Sequence, residues 1–211
     1  MNGWVAVHDP VTGASSSGSM SMATSPSLSG KARELNTTYT NYGGELYYVL
    51  FGNNATARNF VYDGWVYLTD SAASIGVIEM DMNQVLPNGQ TVIFGLQCDS
   101  WTGTWDYTGN AGTPTAFIDH WVTSSARCDV RSWAHNTWHH VQASYSRDDY
   151  GNVTYQSVWL DGNEQKINAT VPSAFALGWA PALVTNFQVD SLDPETSSST
   201  VYLDNLTVSR W

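Results

Sequence analysis

The chain has 211 residues, of which 13% are Asp, Glu, Lys or Arg, and a formal net charge of −11 at pH 7. Its only lysines are Lys31 and Lys166, so the basic footprint that nucleic acid or an anionic lipid surface requires is absent. The same shortage disfavours strongly anionic polysaccharides such as alginate or pectate and leaves a neutral ligand as the simpler expectation. The length suits one all-β domain with a full core. Ten Trp and eleven Tyr, among abundant Thr, Ser, Asn and Gly, fit strands, turns and sugar-facing surfaces better than helices. Ten indoles are too many for a core alone, and an indole on an open face can stack on the C–H face of a pyranose.

At the N-terminus, Met1-Asn2-Gly3-Trp4 carries no signal peptide, and no apolar run approaches the 18 residues of a membrane span. Residues 1–211 are therefore expected to form a single β-sandwich domain from a longer exported protein, secreted or held at the cell surface beside other domains of that chain. Thr12 to Gly30 reads as a loop plus a weak strand. Strands are then predicted at Gly44–Phe51, Phe60–Thr69, Ile75–Gln84, Thr91–Asp99, Thr137–Ser146, Val153–Asp161, Leu183–Val189 and Thr200–Trp211. Turn residues separate most of them, as in Leu86-Pro87-Asn88-Gly89 and Asp161-Gly162-Asn163. Val171–Gly178 is at most one helical turn. This pattern favours an antiparallel sandwich of two sheets.

Within Ile75–Gln84, Ile78, Met80 and Met82 alternate with Glu79, Asp81 and Asn83. As a strand the segment puts Glu79 and Asp81 on one face, roughly 7 Å apart along the chain. Two adjacent carboxylates repel each other, which marks either a site or a solvated strand edge. The stretch Ser100–Trp133 reads as a long aromatic loop carrying Trp101, Trp105, Tyr107, Trp121 and Trp133, together with Asp106, Asp119 and His120. Cys98 and Cys128 enclose it. As a disulfide in an export-type chain they would stabilise the fold by about 3–4 kcal/mol in the chain-entropy model; two buried thiols are the other option.

Residues 136–162 read Asn-Thr-Trp-His-His-Val-Gln-Ala-Ser-Tyr-Ser, a polar turn, then Val-Thr-Tyr-Gln-Ser-Val-Trp-Leu-Asp-Gly. This resembles the hairpin of concanavalin A-like (laminin G-like) domains. Val-Tyr-Leu-Asp-Asn-Leu-Thr-Val at 201–208 resembles the closing strand of carbohydrate-binding jelly-roll modules. The resemblance implies a concanavalin A-like jelly roll from Gly44 onward. Within that superfamily, glycoside hydrolases of the laminarinase, lichenase and cellobiohydrolase type carry Glu-x-Asp-x-Glu or Glu-x-Asp-x-x-Glu on one strand. Glu79 and Asp81 match the first two positions; the third is Asn83 on a regular strand and Gln84 on a bulged one. An amide cannot protonate a leaving oxygen, so the two-carboxylate mechanism lacks a partner.

The expected function is therefore a non-catalytic carbohydrate-binding domain for a neutral polysaccharide, with no required cofactor. Glu79, Asp81, Asn83 and Gln97 would hold hydroxyls, with His140, Gln142 and Trp159 on the same polar face and Trp101 and Trp105 contributed by the loop. The alternative is a hydrolase or lyase with Glu79 as nucleophile or base, Asp81 beside it, and the missing acid supplied by His140, Asp106 or Asp119. A third class is a protein-binding adhesion module, marked by a flat apolar patch instead of a groove. Asp9 and Asp204, near the first and last strands, resemble the positions at which jelly-roll modules hold a structural calcium.

Overall fold

Period-two alternation of apolar and polar residues pairs the chain into two antiparallel sheets in the computed structural model, which describes residues 3–10, 12–13 and 15–211. In chain order the strands are β1 (Trp4–His8), β2 (Ser15–Ala23), β3 (Ala32–Thr40), β4 (Gly44–Phe51), β5 (Asn59–Leu68), β6 (Ile75–Val85), β7 (Thr91–Asp99) and β8 (Thr104–Asn110). They continue with β9 (Asp119–Arg127), β10 (Thr137–Arg147), β11 (Asn152–Leu160), β12 (Asn163–Pro172), β13 (Ala174–Phe175), β14 (Leu183–Ser191) and β15 (Ser197–Arg210). The first sheet runs β1-β4-β14-β6-β7-β8-β9, with β13 on β7; the second runs β12-β11-β10-β5-β15-β3-β2. The all-β, two-sheet jelly roll expected from the sequence is what the chain forms.

Between the sheets lies one apolar core. Met80 of β6 is flanked by Phe187 of β14 and Leu96 of β7, while Met82 is flanked by Phe94. Phe94 packs across the gap, its ring centroid 4.8 Å from Phe60 and 5.9 Å from Tyr145 of the second sheet. Because side chains alternate, the residues between these, Glu79, Asp81 and Asn83, must point to the other side of the first sheet.

Three expectations are corrected. Ser100–Trp133 is no loop: β8 and β9 extend the first sheet by a hairpin, because Thr, Trp, Tyr and Val there take strand pairing. Thr12–Gly30 contains a full strand, β2, whose Ser-rich sequence hid it. Val171–Gly178 has no helical turn; Ala174 and Phe175 instead pair with β7. The disulfide is present. Cys98 of β7 and Cys128 just past β9 flank β8, with a Cα separation of 5.3 Å. They fasten the added hairpin to the sheet.

Reducing this bond, or replacing Cys128 by Ser, is expected to lower unfolding free energy by about 3–4 kcal/mol, given a closed loop of about 30 residues. Urea denaturation with and without reductant measures it. A change below about 1 kcal/mol would show that strand pairing alone fixes β8 and β9.

Candidate functional site

The outer face of the first sheet carries rungs of polar side chains. Across one rung stand Leu46 (β4), Gln188 (β14), Glu79 (β6), Gln97 (β7) and Asp106 (β8); across the next, Tyr48, Asn186, Asp81 and Gly95. Although they face away from the core, these polar groups are nearly all sequestered: Glu79, Asp81, Asn83, Gln97, Asn186 and Gln188 are each no more than 8% exposed. They are the floor of a groove along β6. One half is a cavity of about 540 Å³ around Glu79, Gln97 and Gln188; the other, about 590 Å³, lies over Asp81, Asn83 and Asn186.

Aromatic rings make the rim. Trp101, Trp121 and Trp179 border the groove and stay 54%, 39% and 47% exposed. Each has a local cause. Asp99 accepts the Trp101 backbone N–H at 2.6 Å, closing the turn that presents this indole. Gly95 leaves room for Asp81 and Trp121 to approach the floor together: a Cβ there would lie 3.0 Å from Asp81 Oδ1 and 3.2 Å from Trp121 Cη2.

Among the described residues, no lysine or arginine lines either half of the groove. Burial, and then the neighbouring Asp81, drives the Glu79 carboxyl well above its ordinary range. Burial lifts Asp81 to about 7, and burial again lifts Asp190 to about 7, with Asp9 and Asp99 adding repulsion. Gln188 Nε2 donates to both Asp9 Oδ2 (3.1 Å) and Asp190 Oδ1 (2.9 Å), tying two of these acids together. Three buried polar atoms on the floor make no hydrogen bond of normal geometry: Asp81 Oδ1, Asn83 Oδ1 and Asn186 Nδ2, although the Asn186 amide lies near enough to Asp81 to favour its ionised form. Buried polar atoms are ordinarily paired, so two acceptors and a donor left open side by side are groups available to a ligand.

The structure brings Glu79, Asp81, Asn83, Gln97 and Trp101 together. It separates the rest. His140, Gln142 and Trp159 belong to β10 and β11 in the second sheet, because β10 pairs with β5 and β11 with β10, neither with β6. There Asp63 engages both His140 Nε2 (2.9 Å) and Gln142 Nε2 (2.5 Å), and Trp65 stacks on His140 with centroids 4.4 Å apart. Trp105 is fully buried against Trp133, since its position in β8 points inward. Asp9 and Asp204 do not converge either. Asp9 lies at the groove, whereas Asp204 accepts from Leu28 N, Ser29 N, and the Ser27 and Ser29 hydroxyls at 2.6–3.0 Å in the second sheet. Among the described residues no cluster of three or more His, Cys, Asp or Glu side chains is arranged for a metal.

Sequence reasoning missed Asn186 and Gln188, whose strand was foreseen but not its place beside β6, and Trp121 and Trp179 as rim residues. The alternation Leu183-Val184-Thr185-Asn186-Phe187-Gln188 was the available signal. The regular β6–β7 register also shows that Asn83, not Gln84, stands third after Glu79 and Asp81. Gln84 points to the other side and bonds Arg147.

No protein-family model matches this sequence, and no curated protein is similar to it. Solved structures share its fold. One, described among carbohydrate-binding modules of promiscuous specificity from the β-sandwich superfamily, superposes with a TM-score of 0.53 at 9% identity, covering 99% of this chain and 58% of that one. This chain thus spans little more than half of that structure. Cellulose induced protein Cip1 superposes with a TM-score of 0.56 at 13% identity, covering 98% and 90%. At such identities the likeness is one of fold, and it agrees with the concanavalin A-like jelly roll that the hairpin resembled.

Stability should depend on pH through the buried acids. Asp81 and Asp190 bind protons more tightly folded than unfolded, so their contribution is complete below about pH 4 and is lost as pH rises through about 7. Each group adds up to about 1.4 kcal/mol per pH unit inside that window. Urea titrations from pH 4 to 8 should therefore show declining stability, with a shallower decline in Asp190→Asn. Stability that rises across this range would contradict the assignment.

Proposed function

We propose that this chain is a non-catalytic carbohydrate-binding domain whose groove along β6 takes a neutral polysaccharide. The observation that carries the reading is the set of unpartnered floor atoms, Asp81 Oδ1, Asn83 Oδ1 and Asn186 Nδ2, beneath exposed indoles. Hydroxyls both donate and accept, and a pyranose has apolar C–H faces, so a sugar satisfies floor and rim at once. Carboxylates without a cation beside them favour a ligand that brings no negative charge. A groove of this depth supports the sugar reading over a protein-adhesion module, which would present a flat apolar patch. The two similar structures, one of a carbohydrate-binding module and one of a cellulose-induced protein, point the same way. The disulfide supports an exported protein, secreted or at the cell surface. Among the described residues no helix is long and apolar enough to cross a membrane.

Calorimetry or affinity electrophoresis against β-glucan, xylan, mannan and chitin oligosaccharides tests the proposal. Binding is expected, with Asn186→Ala and Trp121→Ala each weakening it about tenfold, as the loss of one buried hydrogen bond or one stacking ring costs about 1–1.5 kcal/mol. A folded sample that binds none of these polymers would falsify it.

One observation favours a second reading, a hydrolase or lyase. Burial and then the neighbouring Asp81 push the Glu79 carboxyl well above its ordinary range, a bias toward the protonated form that suits acid–base chemistry. Asp119, which reaches the same half of the groove, is then the candidate second carboxylate. Product release from the same panel, abolished in Glu79→Gln, would establish it; equal inertness of wild type and variant would exclude it.

A further inference from the structure

The two halves of the groove differ in chemistry. Around Glu79 the floor is carboxylate and amide, rimmed by Trp101 and Trp121. Over Asn83 the walls are apolar, built from Leu50, Val85, Ile93, Val184 and Trp179. Among the described residues, apart from Tyr48 and the indole N–H of Trp179, that half takes its polar side chains only from Asp81, Asn83 and Asn186, each at least nine-tenths buried and each with an atom that makes no hydrogen bond of normal geometry. An unsubstituted sugar ring is bordered by hydroxyls. Pressed against Leu50, Val184 and Ile93, those hydroxyls would lose water without gaining partners, at about 1–3 kcal/mol each. A uniform hydroxylated chain thus suits the first half throughout, whereas in the second its hydroxyls can reach the floor atoms but those against the walls stay unpaired.

An acetyl substituent has the profile the second half requires. Its methyl needs an apolar wall and its carbonyl needs one donor. When it is an amide, its N–H needs one acceptor. The floor offers Asn186 Nδ2 as donor, with Asp81 Oδ1 and Asn83 Oδ1 as acceptors two residues apart on β6. We infer that the ligand is an acetylated neutral glycan, its acetyl methyl seated against Leu50 and Val184, neighbours across β4 and β14, and its carbonyl accepting from Asn186 Nδ2. This rests on the reading of the groove as a sugar site. O-acetyl esters and N-acetyl amides share the methyl and the carbonyl, and the experiment tells them apart.

Two matched pairs of soluble probes suffice in calorimetry: acetylated against alkali-deacetylated xylo-oligosaccharides, and tetra-N-acetylchitotetraose against cellotetraose. The acetylated member of at least one pair should bind tenfold tighter or better, and the pair that responds identifies ester or amide. Leu50, 54% exposed on β4, can change without disturbing the core. Leu50→Asp should erase the preference, bringing the acetylated member down to the affinity of its unacetylated partner. Trp179→Ala, checked for folding by circular dichroism, should weaken the preference as well. Equal affinity within both pairs overturns the inference and leaves the sugar-binding reading standing. A preference that survives undiminished in both variants also overturns it, by placing the acetyl elsewhere. No binding to any of the four probes overturns the inference and the sugar-binding reading together.

Discussion

Strand β6 is buried on both faces, and the arrangement around it follows from that constraint. Ile78, Met80 and Met82 go into the apolar core, where burial of such side chains is favourable by roughly 1.5–3 kcal/mol each. Strict alternation then forces Glu79, Asp81 and Asn83 into a second, polar interior that water barely reaches. Two ionised carboxylates could not persist there side by side without a cation. Burial pushes both carboxyls toward their protonated forms, and the neighbouring strands supply amides: Gln97 from β7, and Asn186 and Gln188 from β14. The groove is the solvent-side consequence of a strand that must satisfy two different interiors.

The hairpin of β8 and β9 deepens that groove. It supplies Trp121 as one wall and, through the turn before it, Trp101 as part of the rim. Cys98 and Cys128 fasten it from the core side, where Trp105 and Trp133 pack. A wall fixed before a ligand arrives loses less conformational freedom on binding. The disulfide thus serves the site and the fold through the same strand.

Most of the fold was legible in the sequence because strand periodicity is local. The strands around Glu79, Thr91 and Leu183 and the hairpin of β10 and β11 were readable from alternation and turn residues alone. Which strands become neighbours is not local, and there the sequence was silent. His140, Gln142 and Trp159 have the alternation of a polar face as clear as that of Glu79 and Asp81. Nothing in their own segment states that β10 pairs with β5, in the other sheet. Likewise Asn186 looks unremarkable until β14 is laid against β6 and its amide meets Asp81. Trp105 and Trp121 carry the same residue type on consecutive strands, and only the direction each faces separates core filler from rim.

The amide at Asn83 ties these observations together. A third carboxylate at that position would place another charge on a strand whose two acids are already pushed toward protonation, in a groove with no arginine or lysine to offset it. An amide keeps an acceptor and a donor there without charge. The floor then presents a Glu79 carboxyl biased toward its protonated, donating form, an Asp81 oxygen able to accept, and amides that do either. That mixture of donors and acceptors is complementary to hydroxyl and acyl groups and indifferent to ions. An amide there, in place of a third carboxylate, thus lets a buried row of acids persist without a further charge to offset.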